Sequence, residues 1–194
     1  MTSDVIEKSS PHQSGPHKPG PRRARLAEML RVDHAGEYSA VAIYRGQRAV
    51  FAALPHKKEI ADQIAEMEAG EEEHLRRFDE LLAERKIRPT LLAPLWNAAG
   101  FGMGAVTALM GEKAAMACTA AVEDVIEKHY ADQIAALGDD ETELVATITQ
   151  FRDDELEHKK IAEDAGAAEA PGYPLLSAVI KTGCRAAIKI AEKI

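Results

Sequence analysis

Two Glu-x-x-His pairs, Glu71 with His74 and Glu155 with His158, are the residues of this chain best suited to chemistry. On a helix, a spacing of three places both side chains on one face, where a carboxylate and an imidazole can bind the same metal ion. One such pair is weak evidence, because helices carry many glutamates. The second pair follows the first by 84 residues, and the apolar residues around it keep the same offset. This repetition indicates an internal duplication.

Each Glu-x-x-His pair interrupts an apolar stripe whose steps alternate between four and three residues. Such spacing is typical of a helix face that points into a bundle. We therefore predict that both pairs face the core, and that the neighbouring Glu72, Glu73 and Glu157 face water. The apolar residues of the two stripes are Ile60, Ile64, Met67, Phe78 and Leu81, and Leu144, Ile148, Phe151 and Ala162.

Two further glutamates, Glu37 and Glu123, repeat in the same way on the helices that precede the pairs. Each lies on an apolar stripe, and each is followed by a tyrosine after seven residues and by a glutamine three residues later. The chain is therefore predicted to contain two copies of a helix pair. The first helix of each copy contributes one inward glutamate, and the second contributes an inward Glu-x-x-His.

Four carboxylates in one dry interior need compensation, because burial and mutual repulsion both oppose their charge. Two divalent cations would balance the four negative charges. Four Glu and two His from four helices form the di-iron or di-manganese carboxylate arrangement. Oxygen and imidazole ligands suit both metals, and we predict iron because its redox couple allows dioxygen activation. The predicted metal ligands are Glu37, Glu71, His74, Glu123, Glu155 and His158.

The elements that position these residues are four long helices, predicted over about 25–53, 56–86, 112–137 and 140–166. No segment alternates with a period of two, so we predict an all-α, four-helix bundle without a sheet. Residues 1–22 are rich in Pro, Gly, Ser and His, which predicts a disordered tail. Residues 23–194 then form one di-iron domain. His12 and His17, which lie in the tail, are weak candidates for metal binding.

Two additional helices suggest contact with a membrane surface. The segment 91–110 is apolar and carries no charge, but Pro, Asn and Gly residues dilute it. It could lie in a membrane interface, pack in the protein core or span a bilayer, and hydropathy does not separate these alternatives. The helix over about 173–194 carries a basic stripe, which predicts either contact with anionic lipid or a solvated face. The stripe consists of Lys181, Arg185, Lys189 and Lys193.

Composition excludes several classes of protein. The net charge of -8 gives no support for a nucleic-acid partner. Cys118 and Cys184 cannot build a disulfide framework, and they are predicted to be buried thiols in a reducing compartment. Asp4 and Glu7 are untypical of a secretory signal and of a transit peptide. We therefore expect a peripheral protein at the cytoplasmic face of the cell membrane. For a eukaryotic chain, the corresponding site would be the matrix face of the inner mitochondrial membrane.

Long stretches of the chain resemble the demethoxyubiquinone hydroxylase family of ubiquinone biosynthesis. The resemblance runs from about Leu26 to the C-terminus, and all six predicted ligand positions match the pattern of the family. The stretches that carry it include RVDHAGEYSAVAIYRGQ around Glu37, EEEHLRRFDELL around Glu71, MACTAAVEDVIEKHYADQI around Glu123 and FRDDELEHKKIAEDAG around Glu155.

This resemblance implies a ferritin-like fold that binds two iron ions. It also implies hydroxylation of a demethoxylated polyprenyl benzoquinol with O2 and two electrons, for which NADH is the expected source. The isoprenoid tail of such a substrate implies attachment to a membrane surface. A lipid-binding partner protein and a homo-oligomer are both compatible with this prediction.

Three other side chains are predicted to lie near the metal ligands. Tyr130 and His129 follow Glu123 by about two turns, and we expect them to line a quinone pocket between the first and fourth helices. Asp154 could accept a hydrogen bond from a ligand histidine.

Three alternative functions share part of this pattern. A ferritin-type iron store or ferroxidase would use the same six ligands without an apolar membrane surface. Another di-metal enzyme, such as a quinol oxidase or a manganese catalase-like protein, would also fit. The third alternative is a purely structural adaptor on a membrane surface, which would need no metal.

Overall fold

The computed structural model of the chain describes residues 21–193. The predicted tail, except for its last two residues, lies outside the described residues, as do His12 and His17. Within 21–193 the chain forms α-helices, short 3-10 turns and no strands, which confirms the predicted all-α bundle. The α-helices are α1 (Pro21–Phe51), α2 (Lys58–Arg85), α3 (Ala93–Leu109), α4 (Glu112–Leu137), α5 (Thr142–Asp164) and α6 (Tyr173–Ala191).

The duplication extends to three helices in each half of the molecule. Helix α1 packs against α2 and α3, and in the second half α4 packs against α5 and α6. Helices α1, α2, α4 and α5 form the four-helix bundle, while α3 and α6 lie along its outside. The apolar stripes predicted on α2 and α5 are buried. The off-stripe acids Glu72, Glu73 and Glu157 are exposed, as predicted.

Two apolar clusters fill the bundle on either side of the buried glutamates. One cluster contains Phe51, Ile64 and Met116. The other contains Phe78 and Ile148 among its members. Burial of this apolar surface is the main force that holds the four helices together. It also fixes the rotation of each helix, and thereby turns the polar residues between the clusters toward one another.

Helix α3 lies very close to α1 because glycines stand where the two backbones meet. A methyl group on Gly104 would overlap the carbonyl oxygen of Ile43, and one on Gly46 would overlap the carbonyl oxygen of Phe101. At Gly102, on the same helix, a methyl group would meet no atom within 4 Å. The contact between α1 and α3 therefore depends on small residues on one face of α3.

We predict that Gly104→Ala lowers the free energy of unfolding by about 2 kcal/mol, because the added methyl forces two backbones apart. The matched variant Gly102→Ala should instead raise it by about 0.5 kcal/mol, since alanine is favoured over glycine inside a helix and the added methyl meets no atom. Urea unfolding of both variants measures these changes. Equal stabilities for the two variants would contradict the close contact.

The opposite face of α3 exposes large apolar side chains. Leu109 is 75% exposed and Val106 is 58% exposed, whereas Thr107 and Ala108 are buried against the rest of the protein. Helix α3 is therefore neither a wholly buried core helix nor a solvated one. Across residues 21–193 no helix combines the length and the apolar content that crossing a bilayer requires.

Helix α6 is tied to the bundle by a cluster of charges around Asp124. The Asp124 carboxylate lies 2.6 Å from Nζ of Lys128, 2.6 Å from Nζ of Lys159 and 2.9 Å from Nζ of Lys181. These three cations hold the pKa of Asp124 well below its usual value, even though burial opposes them. Lys181 thus belongs to an internal ion cluster. The predicted basic stripe therefore has three exposed members, Arg185, Lys189 and Lys193, instead of four.

Candidate metal centre

The six predicted ligands converge between the two apolar clusters. Glu37 comes from α1, the first Glu-x-x-His pair from α2, Glu123 from α4 and the second pair from α5. Two overlapping groups each have ligand atoms within 4.8 Å of one another. One group contains Glu37, Glu71, His74 and Glu155, and the other contains Glu71, Glu123, Glu155 and His158.

Glu71 and Glu155 belong to both groups, whereas Glu37 and Glu123 each belong to one. A carboxylate shared by two ligand groups can bridge two metal ions, whereas Glu37 and Glu123 can each serve only one. Spacing along the sequence alone leaves the lone glutamates, Glu37 and Glu123, free either to bridge two metals or to bind one. If two metal ions bind, the overlap of the two groups would favour the glutamates of the Glu-x-x-His pairs as the bridging ligands.

Both histidines turn Nδ1 toward the carboxylates. Nδ1 of His74 lies 3.3 Å from Oε1 of Glu155 and 3.8 Å from Oε2 of Glu37. Nδ1 of His158 lies 2.9 Å from Oε1 of Glu71. Charge attraction to these carboxylates outweighs burial and raises the pKa of His158 to about 10. Without metal, the imidazoles therefore serve as the partners of the carboxylates.

Burial and repulsion act strongly on the remaining carboxylates. Burial, reinforced by the charges of Glu71 and Glu155, raises the pKa values of Glu37 and Glu123 well above the usual range. For Glu71, the hydrogen bond with His158 and the nearby charges of both histidines outweigh burial and lower its pKa to about 2. Buried carboxyl groups with tendencies as opposed as those of Glu37, Glu71 and Glu123 are under electrostatic stress that bound cations would relieve.

Unpaired polar atoms test whether metal ions fit this place. Buried polar groups in proteins nearly always have hydrogen-bond partners, so a concentration of exceptions needs an explanation. Here, six of the twelve buried side-chain atoms that lack a hydrogen-bond partner among the described residues belong to the predicted ligands. They are Oε2 of Glu37, Glu71 and Glu123, both carboxylate oxygens of Glu155, and Nδ1 of His74. The cluster could therefore hold a two-metal centre.

Two tyrosines connect the two copies of the repeat. The hydroxyl of Tyr44 on α1 donates a 2.6 Å hydrogen bond to Oε1 of Glu123 on α4. In the reciprocal contact, the hydroxyl of Tyr130 on α4 donates to Oε1 of Glu37 on α1. Each tyrosine thus orients the lone glutamate of the other copy. The sequence alone did not predict this contact of Tyr44, although a tyrosine seven residues after each lone glutamate was a visible signal.

The two histidines differ in what lies beside their other ring nitrogen. Nε2 of His74 lies 3.1 Å from Oδ2 of Asp154, which confirms the predicted hydrogen bond to a ligand histidine. The matching residue in the other copy is Gly70, where a Cβ atom would lie 3.3 Å from the ring of His158. One histidine thus has a carboxylate behind it and the other has a glycine. The two halves of the centre are therefore not equivalent.

An apolar cavity lies beside the cluster, between α1, α3, α4 and α6. Glu37 and Tyr130 lie in its wall, so it reaches the predicted ligands. His129 lines it as well, and Nε2 of His129 lies 3.0 Å from Oδ1 of Asp33. The structure thus brings both predicted substrate residues to one cavity, and their contact with substrate remains a prediction. Its apolar wall includes Val32, Trp96, Met103, Val122, Ile126 and Ile188.

Comparison with known proteins gives one family for almost the whole chain. The family described as ubiquinone biosynthesis protein COQ7 matches residues 24–191. The chain is 52% identical over 171 residues to a 3-demethoxyubiquinol 3-hydroxylase of Rhodospirillum rubrum, covering 88% of this chain and 79% of that protein. It is 45% identical over 185 residues to the human NADPH-dependent 3-demethoxyubiquinone 3-hydroxylase, mitochondrial, covering 93% and 83%. The chain is 43% identical over 187 residues to the 5-demethoxyubiquinone hydroxylase, mitochondrial, of Saccharomyces cerevisiae, covering 88% of this chain and 79% of that protein.

Proposed function

This chain belongs to the family of the ubiquinone biosynthesis protein COQ7, and from that premise we propose that it is a di-iron monooxygenase acting on a demethoxylated polyprenyl benzoquinol. It is a hydroxylase of ubiquinone biosynthesis with a ferritin-like, all-α fold. The reaction adds one hydroxyl group to the quinol ring, and it uses O2 and two electrons. The names of the relatives give the substrate both as a quinol and as a quinone.

The observation that carries this proposal is the pair of overlapping ligand groups with six unpaired buried atoms. The six ligands are Glu37, Glu71, His74, Glu123, Glu155 and His158, and they would hold two iron ions. Carboxylate oxygens and imidazole nitrogens are ligands that suit iron better than they suit structural zinc. Iron, when bound, supplies the redox couple that O2 activation requires.

The protein's own residues position the substrate and keep water out. The apolar wall of the cavity receives the ring, and Glu37 and Tyr130 mark the end of the cavity nearest the ligands. Tyr130 holds Glu37 through a hydrogen bond, so the carboxylate keeps its place when a ring enters. A largely apolar cavity beside the centre favours oxidation of an organic substrate over iron storage.

The electrons and the partners are less directly tied to particular residues. We take NADH to be the ultimate electron source, whereas the names of the mouse and human relatives specify NADPH. A lipid-binding partner protein that presents the quinol, and self-association of the chain, remain part of the proposal. We place the protein at the cytoplasmic face of the cell membrane, while eukaryotic relatives are named as mitochondrial.

The exposed apolar faces of α3 and α6 support peripheral membrane binding. Leu109 on α3 is 75% exposed, and Leu175 and Val179 on α6 are 72% and 62% exposed. Both helices also contribute residues to the wall of the cavity. An isoprenoid tail could therefore reach lipid where the ring enters the protein. Arg185, Lys189 and Lys193 add positive charge on α6 that attracts anionic headgroups.

We predict that Leu109→Asp combined with Val179→Asp weakens binding to anionic phospholipid vesicles by about tenfold or more, because each leucine-sized side chain contributes about 1.5 kcal/mol when buried in lipid. Vesicle co-sedimentation measures the change. Leu156→Asp is the matched control, because Leu156 is a half-exposed leucine on α5, outside α3 and α6. Undiminished sedimentation of the double variant would contradict the membrane assignment.

The proposed reaction is tested with the purified full chain. Metal analysis should give two iron ions per chain, and a short-tailed demethoxylated quinol supplied with a reductant and labelled O2 should gain one labelled hydroxyl group. Iron uptake without any hydroxylated product would instead favour the storage alternative. Retained manganese together with peroxide disproportionation would favour the catalase-like one.

A further inference from the structure

One polar side chain in the wall of the cavity, Asp33, is not among the predicted metal ligands. The Asp33 side chain on α1 is fully buried and lines the cavity. Its Oδ1 lies 3.0 Å from Nε2 of His129 and 2.6 Å from Nε2 of Gln133, both on α4. Its second oxygen, Oδ2, is buried without a hydrogen-bond partner among the described residues. An unpaired carboxylate oxygen in an apolar cavity indicates an absent hydrogen-bond donor.

The duplication shows that the fold does not need this charge. The positions of Asp33, His129 and Gln133 correspond, 86 residues away in the other copy, to Thr119, Ile43 and Gln47. There, Nε2 of Gln47 lies 3.4 Å from Oγ1 of Thr119, so the same glutamine contact is made to a neutral hydroxyl.

The fold thus packs Thr119 and Ile43 at the positions that match Asp33 and His129. A buried carboxylate is costly, and Asp33 lines the cavity whereas the matching Thr119 is not in its wall.

The two contacts on Oδ1 define what the free oxygen can bind. An amide nitrogen such as that of Gln133 can only donate, so Asp33 accepts its hydrogen bond. Burial lowers the pKa of His129, but the hydrogen bond and the charge of Asp33 outweigh it and raise that pKa. Burial raises the pKa of Asp33 itself, and the hydrogen bonds with His129 and Gln133 oppose that rise. Because both contacts are made by Oδ1, the ionised carboxylate presents Oδ2 as an acceptor.

We propose that Oδ2 of Asp33 accepts a hydrogen bond from a ring hydroxyl of the substrate, so that the cavity selects the reduced quinol over the oxidised quinone. A quinol carries two hydroxyl donors, whereas the oxygens of a quinone only accept. A carboxylate oxygen therefore stabilises a bound quinol and repels the oxygens of a bound quinone. This inference rests on the proposed function, because it takes the cavity to be the quinol site. Asp33 acts here as a specificity-determining residue.

The test measures the binding of two ring forms to the full chain, loaded with zinc so that the centre cannot exchange electrons with the ring. The probes are a demethoxylated benzoquinone with one prenyl unit and its quinol, in the absence of O2. Trp96 is the single tryptophan of the chain and lines the cavity, so its fluorescence reports binding at this place. We expect the quinol to bind about tenfold or more tightly than the quinone, as for a charge-assisted hydrogen bond.

Asp33→Asn should remove or reverse this preference, because the amide can donate to a quinone carbonyl. Asp132→Asn, an exposed acid on α4, is the charge-matched control and should keep the preference. Should Asp33→Asn not fold, the dimethyl ether of the quinol, which lacks both donors, should bind the unmodified chain about tenfold more weakly than the quinol.

Equal binding of quinol, quinone and ether would overturn the inference while leaving hydroxylation, which is assayed separately, intact. A wild-type quinol preference that survives in Asp33→Asn would overturn it as well. If no ring form alters Trp96 fluorescence, the cavity is not the quinol site, and the inference fails together with the cavity assignment.

Discussion

Replacing Glu155 by alanine should abolish binding of both metal ions and hydroxylation, and should leave the metal-free bundle folded. Glu155 belongs to both ligand groups, and neither of its oxygens has a hydrogen-bond partner among the described residues. One substitution therefore removes a ligand from each metal. Changes to residues that merely support a ligand typically cost 10–100-fold in affinity, so loss of a shared ligand should cost more than about 100-fold.

The measurements are metal content, product formation and thermal unfolding of the metal-free chain. Glu157→Ala is the matched control, because Glu157 is an exposed glutamate on the same helix. We expect metal-free Glu155→Ala to be at least as stable as the metal-free parent, because the substitution removes one of four mutually repelling buried carboxyl groups. Two bound metal ions in Glu155→Ala would exclude the proposed centre. Unfolding of the metal-free variant would assign Glu155 to the fold instead.

The metal-ligand candidates could be predicted from sequence because helical period alone decides which residues share a face. Glu71 and His74 interrupt a regular apolar stripe, and burial of that stripe forces both side chains inward. The same period explains why Glu72 and Glu73 are exposed. The duplication reinforced the prediction, since chance rarely repeats such a pattern. The predicted helix boundaries were correct to within a few residues, because Pro and Gly mark the ends of most helices.

The partners of these residues could not be predicted in the same way. Spacing gives the face of a helix, but not which residue of a distant helix meets it. Tyr44 and Glu123 are 79 residues apart, and only the packing of α1 on α4 brings them together. Asp33 was likewise overlooked, because a single acid on a helix is usually solvated. Lys181 was placed on an outer stripe because its regular spacing hid the inward contact with Asp124.

The second large effect that we predict concerns stability. Removing the metal should reverse the way in which the free energy of unfolding depends on pH. In the metal-free fold, the pKa values of Glu37 and Glu123 are raised from 4.5, mainly by burial, and the pKa of His158 is raised from 6.5 to about 10 by its carboxylate partners, against burial. The folded chain therefore binds more protons than the unfolded chain. Such groups contribute stability at low pH, and that contribution is lost as the pH rises through their folded pKa values.

The metal-free chain should consequently become less stable from about pH 5 to about pH 9. The lowered pKa of Glu71, about 2, does not change this, since its contribution is already complete above 4.5. The metal-loaded chain should behave in the opposite way. Metal ligands must be deprotonated, so protons compete with the metal at low pH, and stability rises with pH.

Urea unfolding at several pH values measures the slope of the free energy of unfolding against pH, both for the metal-free chain and for the metal-loaded chain. Glu37→Gln combined with Glu123→Gln removes the two carboxyl groups with strongly raised pKa values, so it should flatten the metal-free slope. A metal-free chain that gains stability with rising pH would show that the glutamates are ionised and satisfied without cations, and the electrostatic reason for a metal centre would be lost. Opposite slopes would instead mean that the interior of this bundle is stable near neutral pH only when protons or metal ions neutralise its carboxylates.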